Sequence, residues 1–311
     1  MPHPAAPASA PPLRADFRPA LAAAAQAAGP QHYPTGALYV VATPIGNLAD
    51  LTLRALHLLG LADAIACEDT RHSQQLLRAV GIDGKPLLAL HQHNEAEAAQ
   101  GVIARLQAGE RVAFVSDAGT PAISDPGARL VAACTAAGLR VVPLPGASSV
   151  TTVLSAAGLA GDGQFVFAGF LPAKPGERAA AVQVLGAEAR AVVLLEAPHR
   201  ITALAEALAP LGERRVTLGR ELTKQFEQIA TLPCAALPAW LAADAQRQRG
   251  EFALALHPTA AASDAGESER VLRLLLAELP LKTAVKLAAE ITRQPRNALY
   301  EQALTLKSDA R

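Results

Sequence analysis

The sequence has few of the residues that several large classes of protein need. Only three cysteines occur in 311 residues and none forms a CxxC pair, which excludes a disulfide framework and favours a reducing, cytoplasmic location. Aromatic residues make up 4%, so the stacking surfaces typical of single-strand nucleic-acid binders are not expected. Lys plus Arg and Asp plus Glu number 28 each, which excludes a globally basic nucleic-acid binder but leaves a local basic patch open.

Long apolar runs and common nucleotide-binding signatures are missing as well. No run of about 18 large apolar residues occurs, so neither a transmembrane helix nor a membrane partner is expected. The chain contains neither GxGxxG nor GxxxxGK[ST], so no dinucleotide or nucleoside triphosphate site of those types follows. Residues 1–36 are rich in Ala and Pro without the order of a signal peptide. This composition predicts a disordered tail, although its Ala-rich end suits a helix.

A regular pattern begins after this tail. Five short apolar runs are each followed by a loop and a helical pattern, which predicts a mostly parallel α/β sheet over 37–158. The runs are continuous because both faces of such strands are buried. They lie at 38–42, 63–67, 87–90, 111–116 and 139–145.

The rest of the chain divides again. A Gly-rich stretch at 158–164 reads as a linker, and further apolar runs predict a second, smaller α/β domain over 159–258. Residues 266–311 read as a module of three short helices. The fold class is therefore α/β, with two α/β domains and a small C-terminal helical module.

The loops after the five strands carry most of the unusual residues. All such loops of a parallel sheet open on one edge, and ligands bind at that edge. We therefore expect the functional site there. The loops are TPIGN (43–47), EDTR (68–71), HQHN (91–94), SDAGTP (116–121) and PGASS (145–149).

Three of these loops suit a small polar ligand. Gly46 permits a close approach of backbone to ligand at a strand-to-helix turn. Asp117 and Thr120 lie on one Gly-rich loop and suit a ribose or an amine. The small PGASS loop suits a flat group such as adenine, with an ordinary helix cap as the alternative. Just beyond the SDAGTP loop, Asp125 is expected to cap the next helix.

The other two loops carry ionisable groups. Glu68 and Asp69 are candidate bases and Arg71 a candidate phosphate ligand, with a local ion pair as the alternative. His91 and His93 suit a polar substrate contact. A metal site is not expected, because no further ligands occur at a suitable spacing.

Positive charge follows the apolar runs of the second half. It indicates a phosphate-bearing substrate, with a solvated surface as the alternative. These residues are His199, Arg200, Arg220 and Lys224. The final helices carry a local excess of positive charge that could contact RNA or merely face solvent: Lys282, Lys286, Arg293 and Arg296 against Glu290.

Taken in order, these segments resemble the ribosomal RNA small subunit methyltransferase I family of the tetrapyrrole-methylase-like (class III) methyltransferases. The resemblance covers about residues 38–256, and the last helices resemble the terminal module of that family. Two departures are Leu195, where Tyr is expected, and Ala197, where Ser is usual. The matching segments are LYVVATPIGNLAD, ACEDTRHS, HQHNE, VSDAGTPAISDPG, PLPGASS, GFLP, EAPHR, GRELTK and RGEF.

The resemblance implies an S-adenosylmethionine-dependent 2′-O-methylation of a cytidine in the decoding centre of 16S rRNA. It also implies a homodimer with the cofactor in a cleft between the two α/β domains. The implied cofactor contacts are Pro44, Gly46, Asp117, Gly119, Thr120, Ser148, Ser149, Leu195 and Ala197. For substrate binding we expect Arg71, Asn94, His199, Arg200 and Lys224, and for the catalytic base Glu68 or Asp69, with His93 second.

Two other functions stay open at this point. A tetrapyrrole methylase would share the fold, but such enzymes tend to carry a GDP-type loop where this chain has SDAGTP. A non-enzymatic RNA- or nucleotide-binding module would bind RNA without the cofactor and transfer no methyl group.

Overall fold

The computed structural model describes residues 16–90, 95–159, 163–259, 264–292 and 294–308. Contacts group them into two compact units. The first contains the described residues up to Thr152 together with Leu222–Gln225, and the second contains Val153–Glu221 and the described residues from Phe226 onward. Within these ranges, no helix combines the length and the apolar character needed to cross a membrane.

The first unit is built on a five-stranded parallel sheet, as the sequence predicts. The strand order is β3-β2-β4-β1-β5, and all neighbouring pairs are parallel. The strands are β1 (Ala37–Val41), β2 (Ala64–Cys67), β3 (Leu87–Ala89), β4 (Val112–Val115) and β5 (Arg140–Leu144). Helices are α1 (Arg18–Ala28), α2 (Leu53–Leu61), α3 (Thr70–Ala79), α4 (Glu95–Gln107), α5 (Ala128–Ala136) and α6 (Ser149–Ala156), the last of which begins in this unit.

The central strands of this sheet are buried throughout. Every residue of β2 and β4 is buried, because the neighbouring strands cover their edges and apolar clusters lie against both faces. Ala66 pairs with Phe114 in register. Parallel strands place all their carboxyl ends on one edge, so the five predicted loops begin on the same side of the sheet.

Helix α1 contradicts the expectation of a disordered tail for residues 18–28. It is an Ala-rich helix whose Ala24 is fully buried, and Phe17 and Leu21 pack against the core of the first unit. Tyr33 is also buried, and its hydroxyl donates to the carbonyl of Ala28. Tertiary packing thus stabilises a segment whose composition alone argued for disorder.

The second unit contains a mixed five-stranded sheet of order β6-β7-β10-β8-β9. Only β6 and β7 are parallel; the other neighbouring pairs are antiparallel. Its strands are β6 (Phe165–Gly169), β7 (Ala191–Glu196), β8 (Arg215–Arg220), β9 (Gln228–Pro233) and β10 (Phe252–Leu256). Its first helices are α7 (Pro175–Gly186), α8 (Ile201–Leu208) and α9 (Leu237–Ala242).

Among the strands that the structure describes, β9 is the one that the sequence pattern did not predict. It is an edge strand whose residues are exposed or half-buried, so it lacks the continuous apolar run of the buried strands.

Three helices close the chain, as predicted. They are α10 (Asp264–Glu278), α11 (Leu281–Thr292) and α12 (Arg296–Ser308). Pro280 and Pro295 stand between them, where proline favours a break. Their small core includes Leu272, Ala288, Leu299 and Ala303, all at most 1% exposed. Each leucine buried in this way contributes about 1.5–3 kcal/mol.

Candidate active site

The loops after β1 and β4 are fastened together at the carboxyl edge of the first sheet. Thr43 donates its N–H to the carbonyl of Gly119 at 2.9 Å, and Gly119 returns the bond to Thr43 at 3.1 Å. The Thr43 hydroxyl also donates to the carbonyl of Ser116 at 3.1 Å. These bonds fix the predicted cofactor loops in one arrangement.

Gly119 has a physical reason to be glycine. Its φ is +84°, which side chains rarely adopt, and a Cβ would lie 3.3 Å from Cγ2 of Ile45. Thr120 follows, and its hydroxyl donates to the carbonyl of Ala147 at 3.2 Å, joining this loop to the one after β5. Ser148 ends that loop and accepts the N–H of Thr152 at 3.0 Å, while Ser149 is the first residue of α6.

Asp117 links the loops after β2 and β4, which are neighbours in the sheet. Its Oδ1 accepts the backbone N–H of Asp69 at 3.2 Å. The half-buried Asp117 therefore lies beside the pair of carboxylates that the sequence singled out. Glu68 is half-buried there too.

The environment of Glu68 raises the pKa of its carboxyl above the usual value. Burial is the main cause, and the negative charges of Asp117, Asp125 and Asp69 add to it. A carboxylate with a raised pKa is a stronger base than an ordinary glutamate.

Asp69 has the opposite properties. Its Oδ1 accepts the N–H of Arg71 at 2.8 Å at the start of α3, and its Oδ2 lies 2.9 Å from the Arg71 guanidinium. The bonds from Arg71 lower the pKa of Asp69 to about 2. The local ion pair considered from the sequence is thus formed, and it makes Asp69 the weaker base.

The expected helix cap at Asp125 is wrong. Helix α5 begins at Ala128, and the buried Glu95 binds its N-terminus instead, accepting the N–H of Gly127 at 3.0 Å and that of Arg129 at 3.1 Å. The Asp125 carboxyl lies near Ser116, and burial is the main cause of its raised pKa. Glu95 stands 32 positions before Gly127 in the chain, so no local signal could reveal its role.

Lys224 lies against the loop after β1. It belongs to the short segment Leu222–Gln225 that groups with the first unit. A Cβ at Gly46, whose φ is +152°, would lie 2.3 Å from Cγ of Lys224 and 2.8 Å from its Cε. Glycine at this position therefore makes room for the aliphatic part of the lysine.

The segment that carries Lys224 is strained. Glu221 and Thr223 have φ of +50° and +67°, and only Ala122 shares this property among the other non-glycine residues that the structure describes. Such conformations are costly and cluster at functional sites. The sequence placed Lys224 with the second domain and gave no sign of its contact with Gly46.

The remaining predicted residues divide into two groups. Leu195, Ala197, His199 and Arg200 lie at and beyond the end of β7 in the second unit, where His199 is exposed and Leu195 half-buried. His91, His93 and Asn94 lie outside the described residues. Pro44 is half-buried beside the Thr43 bridge. The described residues contain no cluster of three His, Cys, Asp or Glu that could hold a metal ion.

This fold and these loops identify the class of protein to which the chain belongs. The family model described as Tetrapyrrole (Corrin/Porphyrin) Methylases matches residues 37–238. Two solved structures share the fold: a uroporphyrin-III-C-methyltransferase from Thermus thermophilus (21% identity, TM-score 0.51, 71% of this chain and 94% of that one) and the cobalt precorrin-4 methyltransferase CbiF (18%, 0.54, 72% and 98%).

Relatives with higher sequence identity identify the particular family within this class. Ribosomal RNA small subunit methyltransferase I of Pseudomonas aeruginosa is 51% identical over 86% of this chain and 97% of its own length. The protein of the same name from Escherichia coli O157:H7 is 50% identical over 86% and 95%. A model described as RsmI C-terminal HTH domain matches residues 262–307. The chain belongs to the ribosomal RNA small subunit methyltransferase I family, and it is a methyltransferase that uses S-adenosylmethionine.

The residues of the first unit fit this cofactor. Gly146 leaves no room for a side chain, since a Cβ there would lie 2.9 Å from Cβ of Ala42, and a Cβ at Gly119 would make a tight contact of 3.3 Å with Ile45. Around them stand one half-buried carboxylate, Asp117, and the serines of the loop after β5. Carboxylates, hydroxyls and backbone groups are the partners that ribose and amino groups require.

Proposed function

We propose that this chain methylates the ribose 2′-oxygen of a cytidine in the decoding centre of 16S rRNA. The observation that carries the proposal is about 50% identity to relatives named ribosomal RNA small subunit methyltransferase I, over at least 95% of their length. Neither alternative from the sequence has comparable support, because the tetrapyrrole enzymes share only the fold at 21% identity or less.

The cofactor supplies a methyl group on a positively charged sulfur, which makes that carbon electrophilic. We assign its binding to the loops after β1, β4 and β5 and to the end of β7. Thr43, Ser116 and Ala147 support this assignment, because their backbone hydrogen bonds hold the first three loops in place. The proposed contacts are Pro44, Gly46, Asp117, Gly119, Thr120, Ser148, Ser149, Leu195 and Ala197.

Glu68 is the proposed base. A ribose hydroxyl is a weak nucleophile and must lose its proton during or after attack. Glu68 suits this role because burial raises the pKa of its carboxyl, whereas Asp69 is bound to Arg71 and has a pKa of about 2. Placement of the two reactants supplies much of the remaining acceleration.

Positive side chains are proposed to hold the phosphates of the RNA. Lys224 lies over Gly46, and Arg71 is exposed while it remains paired with Asp69. His199 and Asn94 complete this set as further polar contacts, whereas Arg200, which the sequence also suggested for it, is engaged with Glu196 and the carbonyl of Leu171. A few such contacts suit a folded RNA that is recognised largely by its shape.

The assembly and location are proposals as well. We propose a cytoplasmic homodimer that acts on the small ribosomal subunit. The second unit carries exposed aromatic side chains that a partner subunit would cover in such a dimer, since Phe226 is 71% exposed and Phe170 52%. Light scattering of the purified protein tests the dimer, and a monomer at micromolar concentration contradicts it.

The reaction is tested with methyl-labelled S-adenosylmethionine and small subunits from a strain that lacks the endogenous enzyme. Label should enter 16S rRNA, survive alkaline hydrolysis in an alkali-stable dinucleotide, because a 2′-O-methyl group blocks cleavage of the following phosphodiester bond, and map to one cytidine. Naked 16S rRNA and a tetrapyrrole precursor serve as alternative substrates in parallel reactions. Label on a base or on the tetrapyrrole, or RNA binding without any transfer, refutes the proposal.

A further inference from the structure

A buried ion pair lies at the carboxyl end of β7, next to the proposed cofactor residues. Glu196 ends this strand with a side chain that is 0% exposed, and its Oε1 lies 3.0 Å from Nε of Arg200. The same oxygen accepts the backbone N–H of Ala197 at 2.9 Å. One carboxylate oxygen therefore forms an ion pair with the arginine and accepts a hydrogen bond from the peptide that follows the strand.

The arginine extends this connection to a second loop. A terminal nitrogen of the Arg200 guanidinium donates to the backbone carbonyl of Leu171, just beyond the end of β6. Its side chain is 23% exposed, so most of it is withdrawn from solvent. These bonds engage Arg200 within the chain, whereas the sequence suggested a substrate contact.

Arg200 is the cation that forms an ion pair with Glu196 among the described residues. Within the described residues, Oε2 of Glu196 is buried and has no hydrogen-bond partner. A buried carboxylate without a counter-ion is strongly unfavourable, whereas removal of both partners of a buried pair is often tolerated. The pair should therefore respond to substitution in a non-additive way.

We propose that Glu196 and Arg200 form a positioning pair, which holds the backbone at Ala197 in the conformation that binds S-adenosylmethionine. Neither side chain is a catalytic residue in this proposal, because both act through the end of β7. The inference rests on the proposed role of Ala197 in cofactor binding. It differs from the proposed function in that it concerns binding, which is measurable without any RNA.

The chain offers a matched control in Arg214. This arginine is buried in the same unit, just before β8, and donates to the carbonyls of Leu185, Glu188, Arg190 and His257. Arg190 directly precedes β7, whereas Glu196 is the last residue of that strand, so Arg214 contacts the opposite end of β7 from Glu196. Arg214→Lys should lower the melting temperature and leave cofactor affinity unchanged.

The test is a double-mutant cycle with Glu196→Gln, Arg200→Gln and the double variant. Calorimetry measures the Kd of S-adenosylmethionine, and single-turnover methylation gives the rate at saturating cofactor. We expect Arg200→Gln to weaken cofactor binding about tenfold or more, and the double variant to bind better than the two single losses combined predict. The rate at saturation should stay within about twofold of the unsubstituted chain.

Several outcomes would overturn the proposal. They are unchanged affinity in Arg200→Gln, additive losses in the cycle, and an equal loss of affinity in Arg214→Lys. If Arg200→Gln does not fold, Arg200→Lys replaces it, because lysine keeps the charge but cannot reach Glu196 and Leu171 with one planar group. If the unsubstituted chain binds the cofactor but labels no ribose, the proposed function fails while this inference remains testable.

Discussion

Substitution of Gly127 by alanine should destabilise the chain strongly, and the structure allows the magnitude to be worked out. Gly127 precedes α5 with φ of +124°, and an added Cβ would lie 2.2 Å from both Cε1 and Cζ of Phe114. Ordinary contact between carbon atoms is about 3.5–4.0 Å, so the aromatic ring must move by roughly 1 Å or more. Phe114 is 1% exposed in the central strand β4 and has little space to move.

Two costs contribute to this loss of stability. A side chain at this φ costs about 1–3 kcal/mol in backbone strain. Insertion of a methyl group into a packed core costs about 1–3 kcal/mol more. We therefore expect Gly127→Ala to reduce the free energy of unfolding by about 2–6 kcal/mol, a large part of the 5–15 kcal/mol that is typical of folded proteins.

Gly138→Ala is the matched control for the steric part. Gly138 has φ of +71°, but a Cβ there would meet no atom within 4 Å. This variant should lose only the strain contribution, about 1–2 kcal/mol for this left-handed conformation. Urea unfolding followed by circular dichroism measures both, and Phe114→Leu combined with Gly127→Ala should recover part of the steric loss. Equal losses in the two glycine variants, or no recovery in the double variant, would refute the reasoning.

Three further predictions concern the proposed base, the N-terminus of α5 and the lysine that lies against Gly46. The methylation rate should fall as pH drops through the raised pKa of Glu68, at a higher pH than for a glutamate of ordinary pKa 4.5. Glu68→Gln should reduce the rate about 10²–10⁴-fold and remove this limb of the pH–rate profile. Asp69→Asn should keep the limb. Glu95→Gln should lower the free energy of unfolding by about 1–3 kcal/mol in urea titrations, since it weakens two bonds at the N-terminus of α5, and an unchanged midpoint would contradict this role. Lys224→Met keeps the aliphatic contact with Gly46 but removes the charge. The slope of log affinity for the ribosomal subunit against log salt concentration should therefore fall by about 1. Lys174→Met, on an exposed helix end, should leave this slope unchanged.

The sequence predicted the first sheet closely because buried parallel strands have a simple pattern. The predicted strand 63–67 appears as Ala64–Cys67, and 139–145 appears as Arg140–Leu144. Edge strand β9 lacks that pattern, since its residues are exposed or half-buried. The Ala-rich sequence of α1 suits a helix, but the stability of this helix comes from Phe17 and Leu21 packing on the core, which composition does not reveal.

The predicted site residues show a similar division. That the loops share one edge follows from the parallel direction of the strands, which the alternation of strands and helices already implies. The difference between Glu68 and Asp69 could not be read from the sequence, because it depends on burial in one case and on the Arg71 pairing in the other. Contacts between residues far apart in the chain, such as Glu95 with Gly127 and Lys224 with Gly46, also leave no local signal.

The placement of Leu222–Gln225 with the first unit has a consequence for the order of synthesis. A growing chain that has just emerged as far as Thr152 contains all five strands of the parallel sheet but not the lysine that covers Gly46. That unit is completed only after β6, β7 and β8 have also been made. A truncated protein that ends before β8 would thus carry the loops of the site without Lys224.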